Sequence, residues 1–158
     1  MPTIPTLTDA YDKITSAYHT IFGGQELKVP KHVGIIMDGN RRYAQRYGWL
    51  PWKGHESGAR VVEQLPEWCK EIGIEELTLY TFSIENFKRE KKEVDYLMKI
   101  FKQEFDKLLA KDNLEYKVNF IGRLEMFPAD VQKAMLSLED KTKDKKPYKV
   151  NFAMAYDG

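Results

Sequence analysis

The sequence VGIIMDGNRR, residues 33–42, joins a short apolar run directly to a polar turn. An uninterrupted apolar run that ends at Asp38 predicts a β-strand buried on both faces. Strands of this kind belong to parallel sheets that are covered by helices. The residues after the turn predict a helix from about Asn40 to Tyr47, which Gly48 then ends.

Strands and helices alternate along the rest of the chain. Helices are predicted over residues 57–72, 91–110 and 128–140, and strands over residues 77–82, 117–121 and 149–155. Pro66 is expected to kink or interrupt the first of these helices. The charged stretch 141–146 is expected to be a solvated loop. The alternation predicts an α/β fold, a mostly parallel sheet flanked by helices, in a single domain over residues 1–158.

An amphipathic helix is predicted at the N-terminus, over residues 4–22. Apolar side chains recur there at steps of three and four residues, and Gly23-Gly24 ends the pattern. Packing of this helix against the domain is the simpler interpretation. A helix lying on a membrane surface is the alternative, but its polar face carries few Lys or Arg residues.

The composition argues against several classes of protein. Lys and Arg number 25 against 24 Asp and Glu, a formal net charge of +1, so nucleic acid is not an expected partner. Cys69 is the single cysteine, which rules out an internal disulfide and a Cys-based zinc site. No apolar run reaches the roughly 18 residues of a membrane span, and residues 1–8 lack the features of a secretion signal. The prediction is a cytoplasmic protein.

Polar clusters follow two of the predicted strands. One runs from Asp38 to Arg42 and the other from Ser83 to Arg89. Ligands of open parallel sheets bind beyond the carboxyl ends of the strands, so the two clusters would face one cleft if their strands are neighbours.

The first cluster contains the parts of a diphosphate site. Asp38 is a hard oxygen ligand suited to Mg²⁺, and Gly39 permits a tight turn and close approach of a ligand. Backbone N–H groups at a helix start and the guanidinium groups of Arg41 and Arg42 attract phosphate. Arg46, four residues after Arg42, shares its helix face. The alternative is an ordinary Asp-Gly turn followed by surface arginines.

Other catalytic motifs are weak or missing. Gly54-His55-Glu56 lacks the second histidine of a zinc-protease helix, because Ala59 stands at that position. Neither G-x-x-x-x-G-K-[ST] nor G-x-G-x-x-G occurs. A phosphohydrolase with a strand-end aspartate needs a second carboxylate two residues later, and Asn40 is found there.

Four segments together resemble the cis-prenyltransferases, the family of the undecaprenyl and dehydrodolichyl diphosphate synthases. They are residues 32–44, Gly54-His55, residues 77–89 and residues 151–158. The resemblance runs from about Pro30 to the last residue. Its first motif, with Arg-Arg-Tyr after Asp-Gly-Asn, is similar to that of archaeal and eukaryotic members.

The resemblance implies a Mg²⁺-dependent transferase of isoprenoid biosynthesis. Such an enzyme condenses isopentenyl diphosphate onto an allylic prenyl diphosphate and builds a cis-polyprenyl diphosphate. Asp38 matches the metal-binding catalytic aspartate, and Ser83 and Asn86 match catalytic positions near the proton transfer. Helices 57–72 and 91–110 would wall a tunnel for the growing chain. The matched substrate-binding positions are Gly39, Asn40, Arg41, Arg42, Arg46, His55, Glu85, Phe87 and Arg89.

The chain also departs from the family pattern. Pro51 stands where many bacterial members carry an arginine, and Lys53 lies nearby as a substitute. The family's later Arg-x-Arg-x-Ser segment and metal-binding glutamate do not occur in these 158 residues, so the resemblance covers the N-terminal portion, which holds the allylic half-site. A homodimer and peripheral membrane contact through the product are further implications.

Two alternatives to a catalytic subunit remain open. One is a non-catalytic partner subunit of a heteromeric prenyltransferase, which the presence of Asp38 disfavours because such partners tend to lack it. The other is the strand-end-aspartate phosphohydrolase, which Asn40 disfavours.

Overall fold

The computed structural model of the chain describes Ser16 and residues 28–157. The helix predicted over residues 4–22 lies outside the described residues, apart from Ser16. Contacts divide the chain between Pro30 and Lys31, and the part from Lys31 onward is described by itself. The single-domain interpretation of residues 1–158 stays a prediction.

Four parallel strands form one sheet in the order β1-β2-β4-β3. The strands are β1 (His32–Ile36), β2 (Glu76–Ser83), β3 (Lys117–Ile121) and β4 (Lys149–Tyr156). Within residues 28–157 the α-helices are α1 (Asn40–Arg46), α2 (Pro51–Glu71), α3 (Lys91–Ala110) and α4 (Ala129–Thr142). Short 3₁₀ turns cover Ile84–Lys88 and Leu124–Met126. The predicted α/β fold with a parallel sheet and flanking helices is confirmed.

The core of the described part lies on one face of the sheet. Alternate strand positions supply buried side chains to it, for example Leu77 and Leu79 of β2 and Val150 of β4, and residues of α2, α3 and α4 join them. Alternation places every second residue of a strand on the same face. The helices therefore cover the face that carries these residues.

The first strand is not buried on both faces, so that prediction was wrong. Strand β1 lies at one end of the described sheet, and its residues alternate between exposed and half-buried. Ile35 packs against the core, whereas the side chain of Ile36 on the opposite face is 72% exposed. An apolar run indicates that a strand can be buried. How much of the strand is buried depends on its position in the sheet.

Helix α2 begins six residues earlier than the pattern predicted. Pro51 occupies its first turn, where the fixed φ of proline suits a helix start and its missing N–H leaves no hydrogen bond unmade. The predicted start at residue 57 was wrong because Gly54 and Gly58 are poor helix formers and obscure the pattern. The helix also continues through the buried Pro66 without interruption.

The charged stretch 141–146 is only partly a loop. Helix α4 extends to Thr142, whose side chain is fully buried. The Thr142 hydroxyl accepts a hydrogen bond from the Val118 N–H at 3.0 Å and donates one to the Leu138 carbonyl at 2.7 Å. A threonine among lysines gave no local sign of this tertiary contact, so the loop prediction was wrong at Lys141 and Thr142.

Strands β1 and β2 are parallel neighbours, which brings the two predicted polar clusters to one edge of the sheet. Ile36 pairs with Tyr80, and the Met37 N–H donates to the Tyr80 carbonyl at 3.0 Å. Parallel strands end at the same edge, so the segments that follow them lie beside each other. The prediction of one shared cleft is confirmed.

Candidate active site

A cavity of about 480 Å³ opens where strands β1 and β2 end. Eight of the residues predicted from the sequence line it: Asp38, Gly39, Asn40, Arg41, Arg42, His55, Asn86 and Arg89. Four other predicted residues lie outside the lining: Arg46, Ser83, Glu85 and Phe87. The fold thus collects three separate sequence segments around one space.

The rest of the lining is mainly apolar and comes from the facing sides of α2 and α3 and from β4. Val62, Phe101 and Phe105 are among these residues, together with Leu97, Ile100, Leu108, Phe152 and Met154. Two carboxylates and a lysine, Glu63, Glu104 and Lys107, also reach it. Many of these apolar side chains belong to the hydrophobic core as well, so core packing and a wall for hydrocarbon are compatible roles for them.

The Asp38 carboxylate is exposed, with 73% of its side chain accessible. Its Oδ1 accepts the Gly39 N–H at 2.5 Å, and its Oδ2 accepts from Arg42 Nη2 at 2.9 Å. Among residues 28–157 there is no group of three or more His, Cys, Asp or Glu side chains arranged to hold a metal. A single accessible carboxylate fits Mg²⁺ in its usual protein mode, in which substrate phosphates and water complete the coordination.

Gly39 and Asn40 are held by close packing of α1 against α2. Gly39 has a φ of 93°, a left-handed conformation that favours glycine. A Cβ on Gly54 would lie 1.9 Å from the Asn40 carbonyl oxygen, and one on Gly58 would lie 2.5 Å from Asn40 Oδ1. Two glycines one helical turn apart on α2 therefore let the backbone and side chain of Asn40 sit at the cavity wall.

The second motif is organised by a capping box. The Asn86 N–H donates to the Ser83 side chain, and Asn86 Oδ1 accepts from the Ser83 N–H at 3.2 Å. Because this bond uses the Asn86 carbonyl oxygen, the amide NH₂ is the group that Asn86 can offer to a ligand. Ser83 therefore orients the side chain of Asn86, which lines the cavity.

The remaining residues of this motif have different surroundings. Glu85 is exposed and pairs with Lys88 at 3.3 Å, away from the cavity. The Phe87 ring packs edge-on against Phe82, with ring centroids 4.8 Å apart, and Phe82 lines the cavity. Phe87 therefore supports the wall from behind.

His55 is buried and pairs with a residue that the sequence did not single out. Its Nε2 lies 3.0 Å from Glu93 Oε1. A carboxylate only accepts, so Nε2 carries the hydrogen and Nδ1 is left as the acceptor of the neutral ring. Burial lowers the pKa of His55 from its ordinary 6.5, and Arg89 and Arg41 lower it further, whereas the bond to Glu93 opposes the shift. The result is a ring that favours the neutral form.

Glu93 and Gly58 are the site residues that the sequence analysis missed. Glu93 lies 38 residues from His55, so no local spacing connects them. An acidic residue in the first turn of a helix is common because it complements the helix dipole, so Glu93 by itself gives no sign of a site. Gly58 belongs to none of the motifs quoted from the sequence, so nothing local marks it as a site residue.

The depressed pKa of His55 predicts a specific loss of stability in acid. The unfolded chain takes up the proton near pH 6.5 and the folded chain only at lower pH, so folding stability is present above 6.5 and is lost as the pH falls through the folded pKa. One proton gives a slope of at most about 1.4 kcal/mol per pH unit. Urea unfolding at pH 7.5 to 5.5 measures it.

The matched variants for this prediction are His55→Asn and His32→Asn. We expect the first to show a shallower pH dependence than the wild type. The second is the control for replacing a histidine by asparagine at an exposed position, where the ring lies 2.8 Å from the Thr78 hydroxyl. Equal slopes for wild type and His55→Asn would contradict the assignment.

The fold and the site together define a class: an α/β protein whose cationic, polar cleft leads into an apolar cavity, suited to an amphiphile with an anionic head. A family model described as "Putative undecaprenyl diphosphate synthase" matches residues 36–158. The chain belongs to this family, that of the cis-prenyltransferases.

Curated relatives from archaea and bacteria match most of this chain. The tritrans,polycis-undecaprenyl-diphosphate synthase (geranylgeranyl-diphosphate specific) of Pyrococcus horikoshii is 48% identical over 133 residues, 82% of this chain and 50% of that protein. The isoprenyl transferase of Thermus thermophilus is 43% identical over 134 residues, again 82% of this chain and 51% of that protein. The chain spans about half the length of the curated relatives it matches.

Solved structures show the same fold. Lavandulyl diphosphate synthase from Lavandula x intermedia, in complex with dimethylallyl diphosphate, superposes with a TM-score of 0.75 at 30% identity, over 82% of this chain and 56% of that one. A "probable undecaprenyl diphosphate synthase" from Campylobacter jejuni gives a TM-score of 0.66, also at 30% identity, with the same coverage. Among the described residues, no helix is both long enough and apolar enough to cross a membrane.

Proposed function

We propose that this chain provides the allylic-diphosphate site of a cis-prenyltransferase, which condenses isopentenyl diphosphate onto an allylic prenyl diphosphate. The observation that carries the proposal is the continuity of one cavity from the polar group at Asp38 to Arg42 into the apolar space at Phe101 and Phe105. An allylic prenyl diphosphate has this same division, an anionic head on a hydrocarbon tail. The family and the names of its curated relatives support the reaction.

The head of the primer would lie among the arginines of the two motifs. Arg41, Arg42 and Arg89 line the cavity, and a guanidinium donates charge-assisted hydrogen bonds to phosphate oxygens. In the reaction the allylic C1–O bond breaks and the diphosphate leaves with the bonding electrons. Donors placed before the reaction stabilise the charge that develops on the leaving group.

Asp38 would hold Mg²⁺ at the head of the primer. Its exposed carboxylate supplies one hard ligand, and the diphosphate oxygens supply others. When bound, the ion neutralises charge on the departing diphosphate and makes it a better leaving group. Arg42 donates to the same carboxylate at 2.9 Å, and both residues line the cavity.

The new bond joins C4 of isopentenyl diphosphate to C1 of the primer, and loss of a proton from C2 leaves the cis double bond. Asn86 lines this space together with Arg89 of the same motif, and its amide is oriented by Ser83. We assign Asn86 to positioning the reacting groups near the proton transfer. The apolar walls of α2 and α3 exclude water from the reacting carbons and receive the hydrocarbon.

Binding and turnover should be measured separately on the purified protein. We expect calorimetry to show Mg²⁺-dependent binding of a thiolodiphosphate analogue of geranylgeranyl diphosphate, the primer named for the Pyrococcus horikoshii relative. Incorporation of radiolabelled isopentenyl diphosphate into organic-extractable product then tests condensation. Binding of the head group alone, with no gain in affinity from the prenyl tail, would contradict the proposal. The homodimer, the membrane contact through product and the cytoplasmic location stay predictions.

A further inference from the structure

A buried carboxylate contacts two arginines and a neutral histidine of the site. Glu93 lies in the first turn of α3, and 10% of its side chain is exposed. Its Oε1 lies 3.0 Å from His55 Nε2 and 3.1 Å from Arg89 Nη1. Arg41 Nε approaches the same oxygen at 3.9 Å. The three partners come from α2, from the segment before α3, and from α1.

Burying the Glu93 carboxylate lowers the stability of the fold unless its partners compensate for the lost hydration. A buried carboxylate is strongly destabilising without compensation, and pairing offsets rather than exceeds that penalty. The positive end of the α3 dipole offsets a further part. Stability alone gives little reason for a carboxylate here, whereas three site residues meeting on one oxygen give a functional reason.

The three contacts of Glu93 differ in their effect on the partner residue. The hydrogen bond to His55 fixes its proton on Nε2, as the acceptor-only chemistry of a carboxylate requires. The bond to Arg89 anchors one terminal nitrogen of a guanidinium that has 26% of its side chain exposed at the cavity. Arg41 stays at ion-pair distance with 60% of its side chain exposed, so its donors remain available to a ligand.

We propose that Glu93 is a positioning residue of the diphosphate site, which sets the tautomer of His55 and aims Arg89 into the cavity. The inference rests on the proposed function, since the ligand it prepares for is a diphosphate. Glu93 does not contact that ligand. It acts through the two residues that do, in the way that outer carboxylates orient ligand-binding side chains elsewhere.

Pyrophosphate affinity separates this role from a purely electrostatic one. Removing a negative charge beside an anion site should tighten anion binding if Glu93 only adds charge. We expect the opposite for Glu93→Gln: calorimetry should show affinity for inorganic pyrophosphate weakened by about tenfold or more, the loss of one well-aimed charge-assisted contact. Asp95→Asn, on the same helix and paired with Lys91 at 2.7 Å, is the matched control and should bind as the wild type does.

A double-mutant cycle tests whether Glu93 acts through Arg89. In an Arg89→Gln background the Glu93→Gln change should cause no further loss of pyrophosphate affinity, because the aimed residue is gone. Additive losses would overturn the proposal, and so would unchanged or tighter binding by Glu93→Gln alone. Glu93→Asp gives a further check. It keeps the charge but shortens the reach, so it should bind pyrophosphate less tightly than the wild type.

The tautomer of His55 provides a readout that needs no substrate. Long-range ¹H–¹⁵N spectra of the full chain should show the Nε2–H form in the wild type and in Glu93→Gln, whose amide oxygen can still accept. Glu93→Ala should show a mixture of tautomers, and His55→Asn assigns the signal. Should Glu93→Ala not fold, the pyrophosphate cycle on the Gln variants decides. The same Nε2–H form in a folded Glu93→Ala would overturn the proposal.

Failure of the proposed function can be distinguished from failure of the proposal for Glu93. If the wild type binds pyrophosphate but the prenyl tail adds no affinity, the site is not an allylic-diphosphate site, while the role of Glu93 stands or falls on its own variants. If the wild type binds neither ligand, the proposed function fails and the tautomer spectra alone decide the case of Glu93.

Discussion

Asp38→Ala is expected to abolish the Mg²⁺-dependent part of primer binding and to reduce incorporation of isopentenyl diphosphate on the order of 10²–10³-fold or more. In the proposed function the Asp38 carboxylate at the cavity supplies the hard ligand for Mg²⁺, and alanine offers no oxygen in its place. Folding should be little affected, because the side chain is exposed and its ion pair with Arg42 is at the surface. Calorimetry with and without Mg²⁺ measures the first effect and radiolabel incorporation the second.

Asp140→Ala is the matched control for this experiment. Asp140 of α4 is similarly exposed and makes an ion pair of the same length, 2.9 Å, with Lys143, the residue after the helix end. It lies outside the cavity lining, so binding and incorporation should be unchanged. Unchanged incorporation by Asp38→Ala would contradict a catalytic role for Asp38 and favour a non-catalytic partner subunit. Hydrolysis of the prenyl diphosphate without isopentenyl incorporation would favour a phosphohydrolase.

Gly54→Ala and Gly58→Ala are expected to damage the site in two different ways. The new Cβ at position 54 would meet the Asn40 carbonyl oxygen at 1.9 Å and carbonyl carbon at 2.7 Å, which are backbone atoms that move only with α1. Overpacking of this kind destabilises by about 1–3 kcal/mol, against a gain of roughly 1 kcal/mol in helix propensity. We expect a lower midpoint in urea together with a large loss of primer binding.

The new Cβ at position 58 would meet the side-chain amide of Asn40 instead, at 2.5 Å from Oδ1. A side chain rotates away more easily than a backbone, and alanine gains helix propensity of roughly 1 kcal/mol over glycine. We therefore expect Gly58→Ala to keep or raise stability while weakening primer binding by about tenfold, the loss of one polar contact to a charged ligand.

Gly34→Ala is the control for both glycine variants. A Cβ there would meet no atom within 4 Å, so neither stability nor binding should change substantially. Equal loss of stability in Gly54→Ala and Gly58→Ala would contradict the distinction between the backbone and side-chain contacts of Asn40. Wild-type primer affinity in Gly58→Ala would show that the Asn40 side chain does not contribute to the site.

Local patterns in the sequence determined which elements form and which segments contain the candidate site residues. Apolar runs and apolar periodicity predicted every described strand and most of the bounds of the described helices, because buried strands and amphipathic helices have different and recognisable patterns. The strand end before Asp38 and the polar turn after β2 indicated one cleft, since parallel strands finish at the same edge of a sheet. Those inferences depend on nearest neighbours in the chain, which a sequence displays directly.

Tertiary structure alone decided which distant residues meet. Nothing local connects His55 with Glu93, and nothing in a glycine's neighbours shows that Asn40 will press against Gly54 and Gly58. Strand order, helix crossing and the edge position of β1 set those contacts, and each depends on how whole elements pack. The first motif could be found without a structure because it is continuous in the chain, but its supporting carboxylate and glycines are close to it only in space.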